Sequence, residues 1–147
     1  MQAGMPNKQN HFWAIVSLFF ASLQMVSAQS NNNAWKAFGS LSHSEVFIRE
    51  GAIERIGDYL KIWVLYNYHS ARTSPNEELY QSATTLFQFD CQDKKSQKLN
   101  SYGHEAVNGK GRQIDLLEKN PLWVVLPPNS IGMHLIEAYC PSPLAAK

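Results

Sequence analysis

The sequence predicts an α+β domain: an antiparallel β-sheet meander that carries a C-terminal helix on one face, tied to the sheet by a disulfide bond. Two long strand-like segments, two hairpin-turn signals and a short amphipathic helix pattern near the C-terminus predict this class. With 147 residues, 44% of them hydrophobic, the chain has enough apolar material for one domain with a single small core.

The segment from Tyr59 to Tyr68 is the predicted central strand, because it is rich in β-branched and aromatic residues and contains neither Gly nor Pro. With a period of two, its predicted core face carries Leu60, Ile62, Val64, Tyr66 and Tyr68. The segment from Leu79 to Cys91 is the predicted neighbour, and its own alternation places Cys91 on the side of Phe87 and Phe89. The polar stretch 69–76 between them is expected to be an exposed connection.

Two short turn signals predict hairpins. Gly57-Asp58 pairs Ile56 with Tyr59 and continues to Glu54 opposite Lys61, which matches opposite charges. Asn108-Gly109 is the strongest turn signal in the chain. It is expected to pair Val107 with Lys110, Glu105 with Arg112 and Tyr102 with Asp115, in a hairpin near the sheet edge.

The helix is expected to begin after a cap at Asn129 or Ser130 and to end near Tyr139, with Pro141 beyond it. Three-and-four spacing defines its apolar face. That face comprises Ile131, Leu135, Ile136, Tyr139 and Cys140. Short strands are also expected at 35–40 and 45–49, and a short apolar segment at 122–126 ends at two prolines.

The first 28 residues have the pattern of a secretory signal peptide. Lys8 precedes the apolar run 12–20, which is shorter than the about 20 residues that span a membrane, and Val26-Ser27-Ala28 is a small-residue cleavage site. The remaining predicted regions are a flexible leader at 29–34, the folded domain at 35–140 and a loose tail at 141–147. Cleavage leaves no stable membrane anchor in the mature chain, and Gln29 stands where a lipoprotein would have its lipid-bearing Cys. We therefore expect an exported protein that is periplasmic, secreted or held at the cell surface.

Export has two chemical consequences. The two cysteines of the chain, Cys91 and Cys140, are expected to form a disulfide bond in an oxidising compartment. Loss of Lys8 with the signal peptide leaves 12 Lys and Arg against 12 Asp and Glu, so the mature chain is neutral. A neutral chain has no long-range field for nucleic acid, which we therefore do not expect as a partner.

No motif indicates catalysis, a cofactor or a metal. The five histidines include no H-x-x-x-H pair, both cysteines are assigned to the disulfide, and there is no P-loop, G-x-S-x-G or dinucleotide-binding glycine pattern. His134 and Glu137 are interpreted as an exposed pair on the helix rather than an acid–base dyad. We expect a non-enzymatic protein without a cofactor.

Two sets of residues are candidates for binding. Five basic residues in one stretch form the candidate patch: Lys94, Lys95, Lys98, Lys110 and Arg112. Aromatic residues could line a groove, although packing within the fold explains them as well. These are Trp35, Trp63, Trp123, Tyr59, Tyr66, Tyr68 and Tyr80.

The order of several short motifs resembles the surface-adhesin protein E family of Gram-negative bacteria. The motifs are Trp35, Val46-Phe47-Ile48, Ile53-Glu54-Arg55, Lys61-Ile62-Trp63-Val64, Tyr80-Gln81-Ser82, Phe89-Asp90-Cys91, Trp123, Pro128-Asn129-Ser130 and Cys140. Gln81 and Asn129 depart from the family pattern, which has Arg and Gly there. The resemblance implies the sheet, helix and disulfide described above, and binding of host extracellular-matrix or serum proteins. The alternative is a soluble periplasmic module with another ligand, such as an assembly or inhibitor subunit, with a small hydrolase as a more distant third.

Overall fold

The structure, a computed structural model, describes residues 34–116 and 120–140. The predicted signal peptide at 1–28, nearly all of the leader at 29–34 and the tail at 141–147 lie outside the described residues. Within the described part of the chain, the architecture is the predicted one: an antiparallel sheet with one C-terminal helix and a disulfide.

The sheet has eight strands, and the path through it is β1-β2-β4-β5-β6-β7. The strands are β1 (Lys36–Leu41), β2 (Ser44–Ile48), β3 (Glu54–Ile56), β4 (Tyr59–Thr73), β5 (Leu79–Asp90), β6 (Lys95–Ala106), β7 (Lys110–Asp115) and β8 (Val124–Val125). β3 pairs with β4 beyond the end of β2, and β8 pairs with β6 beyond the end of β7. Every pairing is antiparallel, as the hairpin signals predict.

The predicted core face of β4 is confirmed at its centre, where Leu60, Ile62 and Val64 are fully buried. Ile62 pairs with Phe87 of β5, and the helix covers this side, which we call the helix face. β4 is longer than predicted. Its last five residues are exposed, but Arg72 and Thr73 pair with β5 after an irregularity in the ladder, so the strand occupies much of the predicted connection.

The first predicted hairpin is confirmed: Ile56 pairs with Tyr59 and Glu54 with Lys61. The second differs at its tip. Ala106, not Val107, pairs with Lys110, and the turn is the three-residue helical turn Val107–Gly109. A bulge between His104 and Ala106 then compensates for the extra loop residue. Tyr102 therefore pairs with Asp115, as predicted.

The hairpin tip folds onto the side of the sheet away from the helix, which we call the opposite face. Asn108 has a φ of 62°, and its side-chain oxygen accepts a hydrogen bond from Asn67 Nδ2 at 2.8 Å. The Asn108 backbone N–H donates to Asn67 Oδ1 at 2.7 Å, and Gly109 N–H donates to Ser82 Oγ at 3.0 Å. Asn67 and Ser82 are buried, so these bonds satisfy polar groups that the tip shields from water.

The helix α1 (Ile131–Tyr139) has the predicted start and apolar face. Ser130 Oγ accepts from Met133 N–H at 3.2 Å, as an N-cap does, and Leu135 and Ile136 are buried against the sheet. Asn129, one of the two departures from the family pattern, has a φ of 58°, a conformation that Asn tolerates better than most residues. None of the described helices is long and apolar enough to cross a membrane.

The predicted disulfide is confirmed. Cys91 and Cys140 are joined with an S–S distance of 2.05 Å, which links the C-terminal end of the helix to the end of β5. The bond closes a separation of 49 residues and borders the cluster of buried residues under the helix.

Candidate binding surface

The five residues of the candidate basic patch lie along both ends of β6. Lys94 and Lys95 stand at its start, and Lys98 follows three residues after Lys95 on the other face of the sheet, whereas Lys110 and Arg112 begin β7 beside the far end of β6. A strand of twelve residues spans roughly 35 Å at about 3.3 Å per residue. The structure therefore groups the three N-terminal lysines and separates them from Lys110 and Arg112.

Ion pairs differ between the two ends. At the β7 end, Arg112 contacts Glu78 at 2.6 Å and Glu105 at 2.8 Å, so two carboxylates offset its charge. Hydrogen bonds from Arg112 hold the pKa of Glu105 below its ordinary value. The β7 end of the sheet is thus a compensated charge cluster, which makes it a weak site for an acidic partner.

The start of β6 keeps more of its positive charge. Lys95 contacts Asp93 at 2.8 Å, and the hydrogen bond from its ammonium group to Asp93 raises the pKa of Lys95. Asp90 uses one carboxylate oxygen to accept the backbone N–H groups of Gln92 and Asp93, which fixes the turn. Lys98 is exposed on the strand that follows this turn.

An exposed apolar strand lies directly beside these lysines. β8 pairs with the start of β6, with Val125 opposite Lys95 and Val124 opposite Ser96. Four consecutive side chains are largely exposed: Leu122 at 74%, Trp123 at 41%, Val124 at 58% and Val125 at 65%. Scattered apolar residues are common on protein surfaces, but a contiguous apolar edge strand is a feature of interaction sites.

Two cavities border Lys98 on the helix face of the sheet. One, of about 320 Å³, lies between β6 and the segment before β8 and is lined by Phe87, Lys98, Leu122 and Val124 among others. The second, of about 310 Å³, lies beyond the helix. Its lining includes Tyr66, Tyr68, Pro75, Tyr80, Phe87, Lys98 and Leu116. Among the described residues that line these two cavities, Lys98 is the one with a charged side chain.

Three residues of the aromatic set line the second cavity, where they also pack against one another. Tyr66 and Tyr68 stack with ring centroids 6.3 Å apart, and Tyr80 meets Tyr68 edge-on at 5.8 Å. Burial raises the pKa of Tyr66 and of Tyr68, so both phenols stay protonated and neutral at physiological pH. All three rings line the second cavity.

The other aromatic residues lie in different parts of the structure. Trp123 contacts Tyr59 with ring centroids 6.1 Å apart, which extends the apolar edge across the sheet. Trp35 packs under the guanidinium of Arg49 at 4.6 Å, and Trp63 lies half-buried on the opposite face. The sequence does not predict that residues 122–125 are exposed, because a short apolar run has the same pattern in an exposed edge strand as in a buried strand.

The remaining polar groups offer little chemistry. His134 Nδ1 lies 3.3 Å from Glu137 on the exposed side of α1. Among the residues that the structure describes, no group of three or more His, Cys, Asp and Glu side chains is placed to hold a metal ion.

These features define the class of the protein: it is a disulfide-linked α+β sheet domain whose exposed apolar edge lies beside a lysine cluster. The family follows from comparison. The family model of surface-adhesin protein E matches residues 35–141, so the chain belongs to that family. The resemblance read from the short motifs is confirmed. No curated protein matches the chain significantly in sequence.

Solved structures of Haemophilus influenzae protein E share the fold. Its crystal form II matches with a TM-score of 0.55 at 11% identity, covering 65% of this chain and 79% of that one. Another structure of the protein matches with a TM-score of 0.54 at 10% identity, covering 72% and 92%. The structure of protein E from a non-typeable strain gives 0.55 at 9% identity, covering 70% and 72%. At such identities the likeness concerns the fold alone.

Proposed function

We propose that this chain is an exported, non-enzymatic adhesin that binds host extracellular-matrix or serum proteins. Membership of the surface-adhesin family supports a role at the cell surface. The proposed binding site rests on one observation: the lysines at the start of β6 lie next to the exposed apolar strand β8. An interface needs apolar area for affinity and charge for orientation, and this surface offers both.

The proposed binding surface comprises Lys94, Lys95 and Lys98 with the apolar residues 122–125. Lys110 and Arg112 are omitted, because they lie at the far end of β6 and Arg112 is paired with two carboxylates. Acidic segments of matrix proteins or anionic polysaccharides fit the lysines, and the attraction should weaken as salt rises.

The test measures capture of matrix and serum proteins by the mature chain immobilised on a sensor surface. Replacing Lys94, Lys95 and Lys98 by Glu should weaken capture by about tenfold or more at low salt, since three attractive charges become repulsive. The fold should survive, because exposed charges contribute little to stability. Circular dichroism of the variant checks this second expectation.

A matched control reverses the charges at the other end of β6. The double variant Lys110→Glu/Arg112→Glu should retain capture of the same proteins. Loss of capture in the double variant alone would move the site to the β6–β7 hairpin. Equal capture by both variants and the wild type would exclude the lysines as a binding patch.

Location is tested independently by adding protease to intact cells. An adhesin must be cleaved from the outside, whereas a protein confined to the periplasm is protected until the outer membrane is permeabilised. Full protection would contradict the adhesin role and favour the periplasmic module.

A further inference from the structure

Among the residues that the structure describes, the short strand β8 is paired with β6 on one side and with no strand on the other. Val124 is opposite Ser96, Val125 is opposite Lys95, and Leu126 N–H donates to the carbonyl oxygen of Lys94 at 3.0 Å. In an antiparallel ladder, hydrogen-bonded and non-hydrogen-bonded pairs alternate. Leu126 and Val124 therefore bond towards β6, while the N–H and C=O groups of Val125 point away from the sheet.

The other sheet edges carry the features that prevent strand pairing. β7 has Lys110 and Arg112 and a positive φ of 82° at Gly111, and β1 has Lys36 and a bulge before Gly39. β3, which among the described strands pairs only with β4, has Glu54 and Arg55. Charges and bulges of this kind block edge-to-edge association. β8 has neither. Its exposed residues are apolar, so although β8 has only two residues and is soon followed by Pro127, it presents neither a charge nor a bulge to an added strand.

The two sides of β8 have different chemistry. On the helix face, Val124 borders the cavity of about 320 Å³, and Lys98 is the charged residue among the described part of its lining. On the opposite face, Val125 is exposed, and Trp123 contacts Tyr59. A strand laid along β8 would place alternate side chains on these two faces. The complementary strand has carboxylates on the first side and aliphatic, β-branched residues on the second.

We propose that β8 binds its partner by strand addition: an extended segment of another protein pairs with the outward groups of Val125, directing acidic side chains to Lys98 and apolar ones to Trp123 and Val125. This inference rests on the proposed function, since it specifies how that surface holds a protein. The acidic residues of the same corner, Asp90 and Asp93, are occupied by the turn hydrogen bonds and by Lys95. Lys98 lines the cavity on the helix face, where the carboxylates of the added strand would lie.

The test uses a defined peptide and the mature chain. The probe is a capped, fluorescein-labelled heptapeptide that alternates Val and Glu, beginning and ending with Val, and its binding is followed by fluorescence anisotropy. A peptide with Lys in place of Glu is the charge control. A Val–Glu peptide methylated at its Val nitrogens is the control for strand pairing, because the Val that lies opposite Val125 in an antiparallel pair then cannot donate to β8. We expect the unmodified Val–Glu peptide to bind at least about tenfold more tightly than either control.

The protein variants test the same contact from the other side. Val125→Pro removes the outward N–H and leaves the bonds to β6, since proline is tolerated where the N–H of an edge strand faces solvent. It should weaken peptide binding by about tenfold or more, because the variant loses one hydrogen bond to the peptide and the proline ring hinders the approach of the peptide. Val125→Thr keeps the N–H and the β-branch, and should bind as the wild type does.

Each outcome decides the proposal. Equal affinity of the wild-type protein for the methylated and unmodified peptides would overturn strand addition. This outcome does not depend on whether Val125→Pro folds. If Val125→Pro captures the host protein as well as the wild type does, while the triple lysine variant fails to capture it, the proposed function stands and strand addition is wrong. If sedimentation shows that Val125→Pro converts a dimer to a monomer and no peptide binds, the edge belongs to a second copy of the chain, and the proposal is overturned.

Discussion

Single residues on the opposite face hold the β6–β7 hairpin against the sheet. Asn67 exchanges two hydrogen bonds with Asn108, and Ser82 Oγ both accepts from Gly109 N–H and donates to the Ala106 carbonyl at 2.6 Å. Such a network is effective only when each member is satisfied, because an unpaired polar group costs more in a buried site than in water. The conformation of the tip therefore depends on side chains that are 27 and 41 residues away along the chain.

A buried histidine on the same face, His104, gives the stability of the sheet a pH dependence. Its Nε2 atom lies 2.9 Å from Thr84 Oγ1, its side chain is buried, and burial lowers its pKa. Below the ordinary histidine pKa of about 6.5, the unfolded chain takes up a proton that the folded chain resists. The contribution of His104 to stability is thus complete above that pH and is lost as pH falls through the lowered folded value.

The variant His104→Gln keeps a hydrogen-bonding side chain but does not titrate, so its comparison with the wild type isolates the contribution of His104. From pH 7.5 to pH 5, the thermal midpoint of the wild type should fall further than that of the variant. Parallel curves for the two proteins would show that His104 does not titrate in this range. The comparison removes the contribution of the other histidines, which both proteins share.

At the scale of elements, the helix depends on one covalent link as well as on packing. Leu135 and Ile136 are its buried residues, and Tyr139 adds a hydrogen bond to Glu50 at 3.1 Å. The Cys91–Cys140 bond follows directly after the last helical residue and fixes that end to β5. A nine-residue helix is too short to be stable by itself, so both attachments are needed.

Cys140→Ser should therefore lower the thermal midpoint strongly. On the chain-entropy model, a bond across 49 residues contributes about 4 kcal/mol to the free energy of unfolding, so a loss of more than about 10 °C is expected. The double variant Cys91→Ser/Cys140→Ser is the control for effects of a free thiol, and the wild type with reductant should behave like it. An unchanged midpoint in the double variant would mean that packing alone holds the helix.

The elements that the sequence predicts correctly are those fixed by local patterns. The alternation along β4, the Gly57-Asp58 turn and the Ser130 cap each involve neighbours in the chain, and each is confirmed. The pairing of Ala106 with Lys110 could not be predicted, because the three-residue tip is set by its contacts with Asn67 and Ser82.

The candidate binding surface is harder to predict from the sequence than the fold is. Nearness in the chain suggested one basic patch, but an extended β6 carries its two ends apart and leaves Lys94 far from Arg112. Exposure of Val124 and Val125 likewise depends on the absence of a further paired strand among the described residues, which no local pattern encodes.

For the whole molecule, the sheet is most firmly held at its centre. β4 pairs with β2 and β3 on one side and with β5 on the other, and β5 pairs in turn with β6. The helix packs on Leu60, Ile62 and Val64, and the cavity lined by Tyr68 and Tyr80 has no described helix residue in its lining. Local stability should therefore decrease from the sheet centre towards the edges and the helix.

Hydrogen exchange measures this gradient. The slowest amides should be in the centres of β4 and β5, where both sides of each strand are paired, and those of β8 should exchange much faster because one side of this strand is open. Reduction of Cys91–Cys140 should then remove protection from α1 first, since the helix loses its covalent link while the sheet keeps its ladders. Exchange is read by mass spectrometry of peptides from each element, before and after reduction, with β2 as the internal reference. If protection fell equally in α1 and in β4 on reduction, the helix and sheet would form one cooperative unit, and the disulfide would act on the unfolded chain rather than on the docking of the helix.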